Sequence, residues 1–178
     1  MKNLATILFT LLLVSSAICQ DKKQDNSMAD CTMHQQQPGP AHHAMVESHG
    51  DKAMGFPHDT TIHNFRLSAD GGTIEVAVND PTDKANLQAI RSHLSHIAVM
   101  FASGNFSTPM FIHDGVPPGT TTMTLMKSGI RYTYQETQLG GNVELYSTEP
   151  IAIASIHDFL RFQITDHQTG DTLEVLHR

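Results

Sequence analysis

Apolar and polar residues alternate strictly in two stretches of the chain, and each stretch gives way to a helical period. From Ile62 to Asn79, Phe65 and Leu67 alternate with polar neighbours. Asp70-Gly71-Gly72 then supplies turn chemistry, and Ile74, Val76 and Val78 alternate again. This pattern predicts a β-hairpin that Asp80-Pro81 ends. Lys84 to Ser103 carries Leu87, Ile90, Leu94, Ile97 and Phe101 at three- and four-residue steps, which predicts a helix stopped by Gly104. The order then repeats. Ile130 to Glu136 and Val143 to Ser147 read as strands around Gly140-Gly141, and Ile151 to His167 reads as a helix followed by Gly170.

Placing Gly71-Gly72 over Gly140-Gly141 also places Ile74-Glu75-Val76 over Val143-Glu144-Leu145, and Asp80-Pro81 over Glu149-Pro150. The expected fold class is α+β: two ββα units forming a four-stranded, mostly antiparallel sheet with two helices on one face. Residues 105–129 are expected to be mostly irregular. A connection that long packs on the surface or builds a site.

The chain before residue 54 has no such period. Lys2, the apolar run Leu4 to Val14, and the small residues Ser15, Ser16 and Ala17 predict a cleavable signal peptide over residues 1–19. The run is too short for a transmembrane helix, which needs about 20 residues. Cys19 offers a lipid-anchored alternative, but bulky Ile18 stands where such sites want a small residue. Residues 20–53 are polar and aperiodic, with Gln35-Gln36-Gln37 and Pro38-Gly39-Pro40, and read as a disordered His/Met-rich leader. The α+β domain is expected over residues 54–178, in a periplasmic or secreted protein with no transmembrane segment.

Composition sharpens the picture. The 178 residues include 12 His and 9 Met but only 11 Lys plus Arg, with a formal charge of -7. A nucleic-acid partner is not expected, because phosphate contact needs clustered cations. A His count above the cation count points to metal or proton chemistry. There are two Cys, and once Cys19 leaves with the signal, Cys31 has no intramolecular partner.

Two regions carry candidate metal chemistry. The leader holds Met28, Cys31, Met33, His34, His42, His43, Met45, His49, Met54 and His58. Thiolate and thioether suit Cu(I), and imidazole suits several transition metals. Cys31, Met33 and His34 offer three such ligands within four residues. On the first helix, His93, His96 and Met100 share a stripe beside the apolar face. His63, His113 and His157 are candidates to approach that stripe. The copper expectation competes with plain solvated histidines and a core-edge methionine. It also competes with a small-molecule or enzyme pocket between the two units, anchored by His157, Arg161 and His113. No HExxH, G-x-S-x-G or phosphate loop is present, and no acid/base carboxylate pair stands out.

Several motifs together resemble an uncharacterised family of small exported bacterial proteins. They are Met54-Gly55-Phe56, Thr61-x-His63-x-Phe65, His93-Leu94-x-His96-Ile97, Ile112-His113-Asp114 and Pro117-Pro118-Gly119, and then the long run from Ile156-His157 through Asp166-His167 to Thr169-Gly170-Asp171. The resemblance covers residues 54–175 and implies export. Members often carry His where this chain has Asn64, which would weaken a site using that His. The resemblance supplies no activity, so function is argued from the residues: an exported protein that binds or handles a soft metal, copper.

Overall fold

A computed structural model describes residues 39–176 of the chain. The expected signal peptide, Cys19 and the candidate ligands Cys31, Met33 and His34 lie outside the described residues. Ten elements follow in order: α1 (Pro40–Met54), β1 (Thr61–Ser68), β2 (Gly71–Val78), α2 (Lys84–Ala102), α3 (Ser107–Ile112), α4 (Thr120–Leu125), β3 (Arg131–Glu136), β4 (Gly140–Tyr146), α5 (Pro150–Asp166) and β5 (Val175–Leu176), with 3₁₀ turns at His58–Thr60 and Lys127–Gly129. The fold is α+β, and both predicted ββα units are present.

The sheet order is β3-β4-β2-β1-β5. The two hairpins meet through β2 and β4, antiparallel, with Ile74 opposite Val143, Gly71 opposite Tyr146 and Ala77 opposite Gly140. Superposing Gly71 on Gly140 therefore maps this ladder onto itself, as a local two-fold between Ile74 and Val143 requires. The hairpins obey the same mapping: Ile62 pairs with Ala77, and Arg131 pairs with Tyr146. The helices cross over. α2 packs chiefly on β3 and β4, and α5 on β1 and β2.

The paired glycines explain why the central strands approach so closely. A Cβ on Gly71 would fall 2.0 Å from the Leu145 carbonyl oxygen, and one on Gly140 would fall 1.9 Å from that of Val76. Under the same mapping these are equivalent contacts, so the glycine doublets are packing requirements as well as turn chemistry.

Period-two alternation decides which face is covered. Phe65, Leu67, Ile74, Val76, Val78, Val143 and Leu145 are buried beneath Ile90, Leu94, Ile97 and Phe101 of α2 and Ile156, Phe159, Leu160 and Ile164 of α5. The opposite face is polar. There the Arg66 guanidinium donates to Glu75 at 2.6 Å, and Arg131 stacks 4.4 Å over Tyr146.

Three expectations are corrected. Residues 40–53, expected as part of a disordered leader, form α1. Pro40 opens the helix at its first position, and left-handed Gly55 closes it by donating to the Asp51 carbonyl. Only Val46 and Gly50 of this helix are buried, so it carries no apolar stripe that a periodicity search would find. Polar bonds hold it instead. The His42 and Asp166 side chains lie 2.7 Å apart, and His49 stacks on Phe111.

The connection 105–129, expected to be irregular, contains α3 and α4. Each has six residues, too short for a clear period. Gly119 caps α4 at φ 81°, where a Cβ would lie 2.0 Å from the Ser155 carbonyl oxygen, so the Pro117-Pro118-Gly119 turn seats α4 directly on α5.

The sheet has five strands rather than four. Asp171 accepts from the Phe65 backbone N–H at 2.8 Å, and β5 then pairs parallel with Leu67 and Ser68, covering the outer edge of β1. Among the described residues no helix is long and apolar enough to cross a membrane.

Candidate metal centre

Four elements end at one corner of the sheet, and each brings a potential ligand. Met54 is the last residue of α1, and His63 lies on the helix-facing side of β1. His93 sits in the third turn of α2, and His167 is the C-cap residue of α5. All four line a small cavity of about 60 Å³ whose other walls include Phe65, Ile97, Phe101 and Ile112. That volume is ample for an ion or a few water molecules.

Aromatic contacts surround the rings. His63 stacks on Phe56 at 6.1 Å, and His93 meets the same phenyl edge-on at 5.8 Å. His63 and His167 are nearly parallel, 6.2 Å between centroids and 4° between planes.

Burial dominates the electrostatics. It pulls His63 down to about 4, assisted by His58 and opposed by Asp51. It pulls His93 to about 4 as well, with His63 and His96 adding to the shift. His167 lies well below the usual histidine value, first by burial and then through His113, His63, His43 and His58. At neutral pH all three rings are neutral, the form that binds metal. The Nε2 of His63 is buried with no hydrogen-bond partner in the protein, and an unpartnered buried nitrogen is costly.

A second, wider pocket of about 240 Å³ adjoins the cavity and shares Met54, His63 and His167 with it. Its outer wall carries His43, Glu47 and His58. Behind the cavity runs a support network. The buried Asp166 carboxylate meets His42 Nε2 at 2.7 Å and His113 Nδ1 at 2.5 Å. The Nε2 of His113 lies 3.2 Å from Gln163 Oε1, and its ring meets His167 edge-on at 5.0 Å. A carboxylate or amide behind an imidazole is the usual means of fixing ring orientation near a metal.

The sequence candidates divide. His93 and His63 come together at the cavity. His113 stands beside them, with both ring nitrogens already engaged by Asp166 and Gln163. The stripe His93, His96 and Met100 does not form a site. His96 lies about 60° further round α2 than His93 and is exposed. Met100 packs against the core, with the Thr108 hydroxyl 3.8 Å from its sulfur. His157 also stays away: its Nε2 lies 2.8 Å from the Ser68 carbonyl oxygen, more than two turns of α5 from Asp166.

The anchors expected for a small-molecule pocket do not converge either. The Arg161 guanidinium donates to the Leu173 carbonyl, while His113 is held by Asp166. Asn64 points to the sheet face opposite His63 and donates to Asp171 at 3.2 Å, so a His at that position would not enter the cavity.

Two cavity-lining residues, Met54 and His167, were not among the sequence candidates for the domain site. His167 follows Gln163 by one helical turn on the apolar side of α5, and that was the available signal. Among the described residues no three His, Cys, Asp or Glu side chains already stand in coordinating positions around one point. The cavity set includes a thioether and would need its rings to turn inward.

Comparison with protein-family models, with curated proteins and with solved structures finds no match to this chain, so the site is read from its own residues.

Proposed function

We propose that this chain is an exported protein that binds or handles a soft metal, and that Cu(I) is held in the cavity by Met54, His63, His93 and His167. The observation that carries the reading is the neutral, buried ligand set. Thioether and imidazole are ligands that Cu(I) accepts, whereas calcium and magnesium demand oxygen.

Charge argues further for a monovalent ion. None of the four ligands carries a negative charge. The solvation penalty of a buried ion grows as the square of its charge, so a dication there would lose about four times as much as a monocation. The export part of the reading rests on the signal pattern of residues 1–19.

Competition titration of the full chain with a colorimetric Cu(I) chelator tests the site. Met54→Leu keeps the volume and removes the sulfur. It is expected to weaken Cu(I) binding at least about tenfold while leaving the thermal midpoint within a few degrees. His63→Gln and His93→Gln are expected to weaken it further. Wild-type affinity in all three variants would overturn the site.

A further inference from the structure

We propose that His43, Glu47 and His58 form a second metal site, for a divalent borderline ion such as Zn²⁺ or Cu²⁺, at the outer wall of the wider pocket. The site uses none of the cavity ligands, so it stands whether or not the cavity takes copper.

His43 and Glu47 are one turn apart on α1, and His43 Nε2 lies 3.0 Å from Glu47 Oε1. His58 arrives from the 3₁₀ turn after α1, and its Nε2 also lies 3.0 Å from that same oxygen. One carboxylate oxygen therefore stands between two imidazole nitrogens that both face it. In a tetrahedral site with bonds of about 2.0–2.2 Å, neighbouring donors are separated by roughly 3.3 Å. Among the described residues no three such side chains already stand around one point, so a shared ion asks the two rings to swing onto it in place of their contacts with Glu47.

The arrangement behind His58 supports this reading. Asp51 Oδ1 lies 3.0 Å from His58 Nδ1 and also accepts from the His58 backbone N–H at 2.9 Å. A carboxylate on the far nitrogen fixes the tautomer and turns Nε2 forward, the second-shell device of metal-binding histidines. A pair holding α1 to the turn would need only one of these contacts.

Charge separates this site from the inner one. Glu47 at the outer wall and Asp51 behind His58 supply two carboxylates, enough to balance a dication, whereas the inner ligands are all neutral. Three protein ligands leave a fourth position open towards a pocket of about 240 Å³. Exchangeable sites keep such a position, and sealed structural sites do not. Met54, His63 and His167 form the wall between the two stations, so an ion held outside lies next to the inner ligands.

The test titrates the full chain with Co²⁺, followed by displacement with Zn²⁺, in wild type, Glu47→Gln and His93→Gln. Gln at position 47 can accept from an Nε2–H with its oxygen and donate its amide N–H to a bare Nε2, so it can keep α1 tied to the turn while removing the anionic ligand. The expected result is one equivalent of Co²⁺ with the intense visible absorption of four-coordinate cobalt. Its affinity should fall at least about tenfold in Glu47→Gln at an unchanged thermal midpoint, and stay at the wild-type value in His93→Gln. Equal affinity in wild type and Glu47→Gln, or absence of the four-coordinate spectrum, would overturn the site. A loss of Co²⁺ binding in His93→Gln but not in Glu47→Gln would also overturn it. Cu(I) titration of the same proteins reads the inner site separately: Co²⁺ binding without any Cu(I) affinity would sink the copper reading and leave this one standing.

Discussion

Metal-free protein is expected to lose a large share of its stability between pH 6.5 and pH 4. In the unfolded chain His63 and His93 titrate near 6.5, and in the fold they are held near 4 by burial. Within that window the unfolded state binds more protons than the native state. Stability is therefore fully present above about pH 6.5, falls as the pH drops, and levels off below about pH 4. Each ring contributes at most roughly 3 kcal/mol, and the pair less than twice that, because a charged His63 forms part of the His93 penalty. His167 shifts in the same direction and adds to the loss. Against a typical domain stability of about 5–15 kcal/mol, this is a large share of the whole. Urea unfolding followed by circular dichroism at pH 7.5, 6, 5 and 4 checks it. His93→Gln should reduce the slope by up to about 1.4 kcal/mol per pH unit. A flat profile from pH 7 to pH 5 would contradict the neutral, buried state of these rings.

The second large effect is expected at Asp166. Its carboxylate is buried at the end of α5, where it holds His42 of α1 and His113 after α3. Asp166→Ala leaves a buried imidazole nitrogen unmatched and releases the first turn of α1, a loss of roughly 3 kcal/mol or more. Asp166→Asn can still serve one ring as acceptor and the other as donor, so it should lose markedly less. The chemical-denaturation midpoints of the two variants measure the difference. In Asp166→Ala, limited proteolysis should cut first between residues 40 and 54. A midpoint within about 1 kcal/mol of wild type, with α1 still protected, would remove Asp166 from its place behind the cavity.

These predictions depend unequally on what could be read from the chain. The hairpins, α2, α5 and the repeated ββα order were legible, because alternation and a 3.6-residue period are direct imprints of one buried face. The register symmetry about Ile74 and Val143 follows from the same glycine doublets that exposed the repeat. α1 was not legible. It is bound through His42, His43, Glu47, His49, Asp51 and His58 rather than through an apolar stripe, and its Pro40 and Gly55 end signals sit in a composition that reads as linker. β5 has two residues, and no period exists over two residues.

The site was half legible. His63 and His93 could be named, but the helical stripe pointed to His96 and Met100 as their companions. The actual companions, Met54 and His167, are supplied by the C-terminal ends of α1 and α5, from opposite ends of the described chain. Spacing along a single helix cannot show convergence of four separate elements. Two of the histidines that composition grouped with the leader, His43 and His58, turn out to line the wider pocket.

The most direct test of the central claim is X-ray absorption at the copper edge of the Cu(I)-loaded full chain, for wild type and Met54→Leu. A mixed shell of imidazole nitrogens and one sulfur in wild type, with the sulfur scattering gone in Met54→Leu, is the predicted result. A sulfur shell that persists unchanged in Met54→Leu would contradict the cavity site and place the copper on other sulfur ligands of the chain.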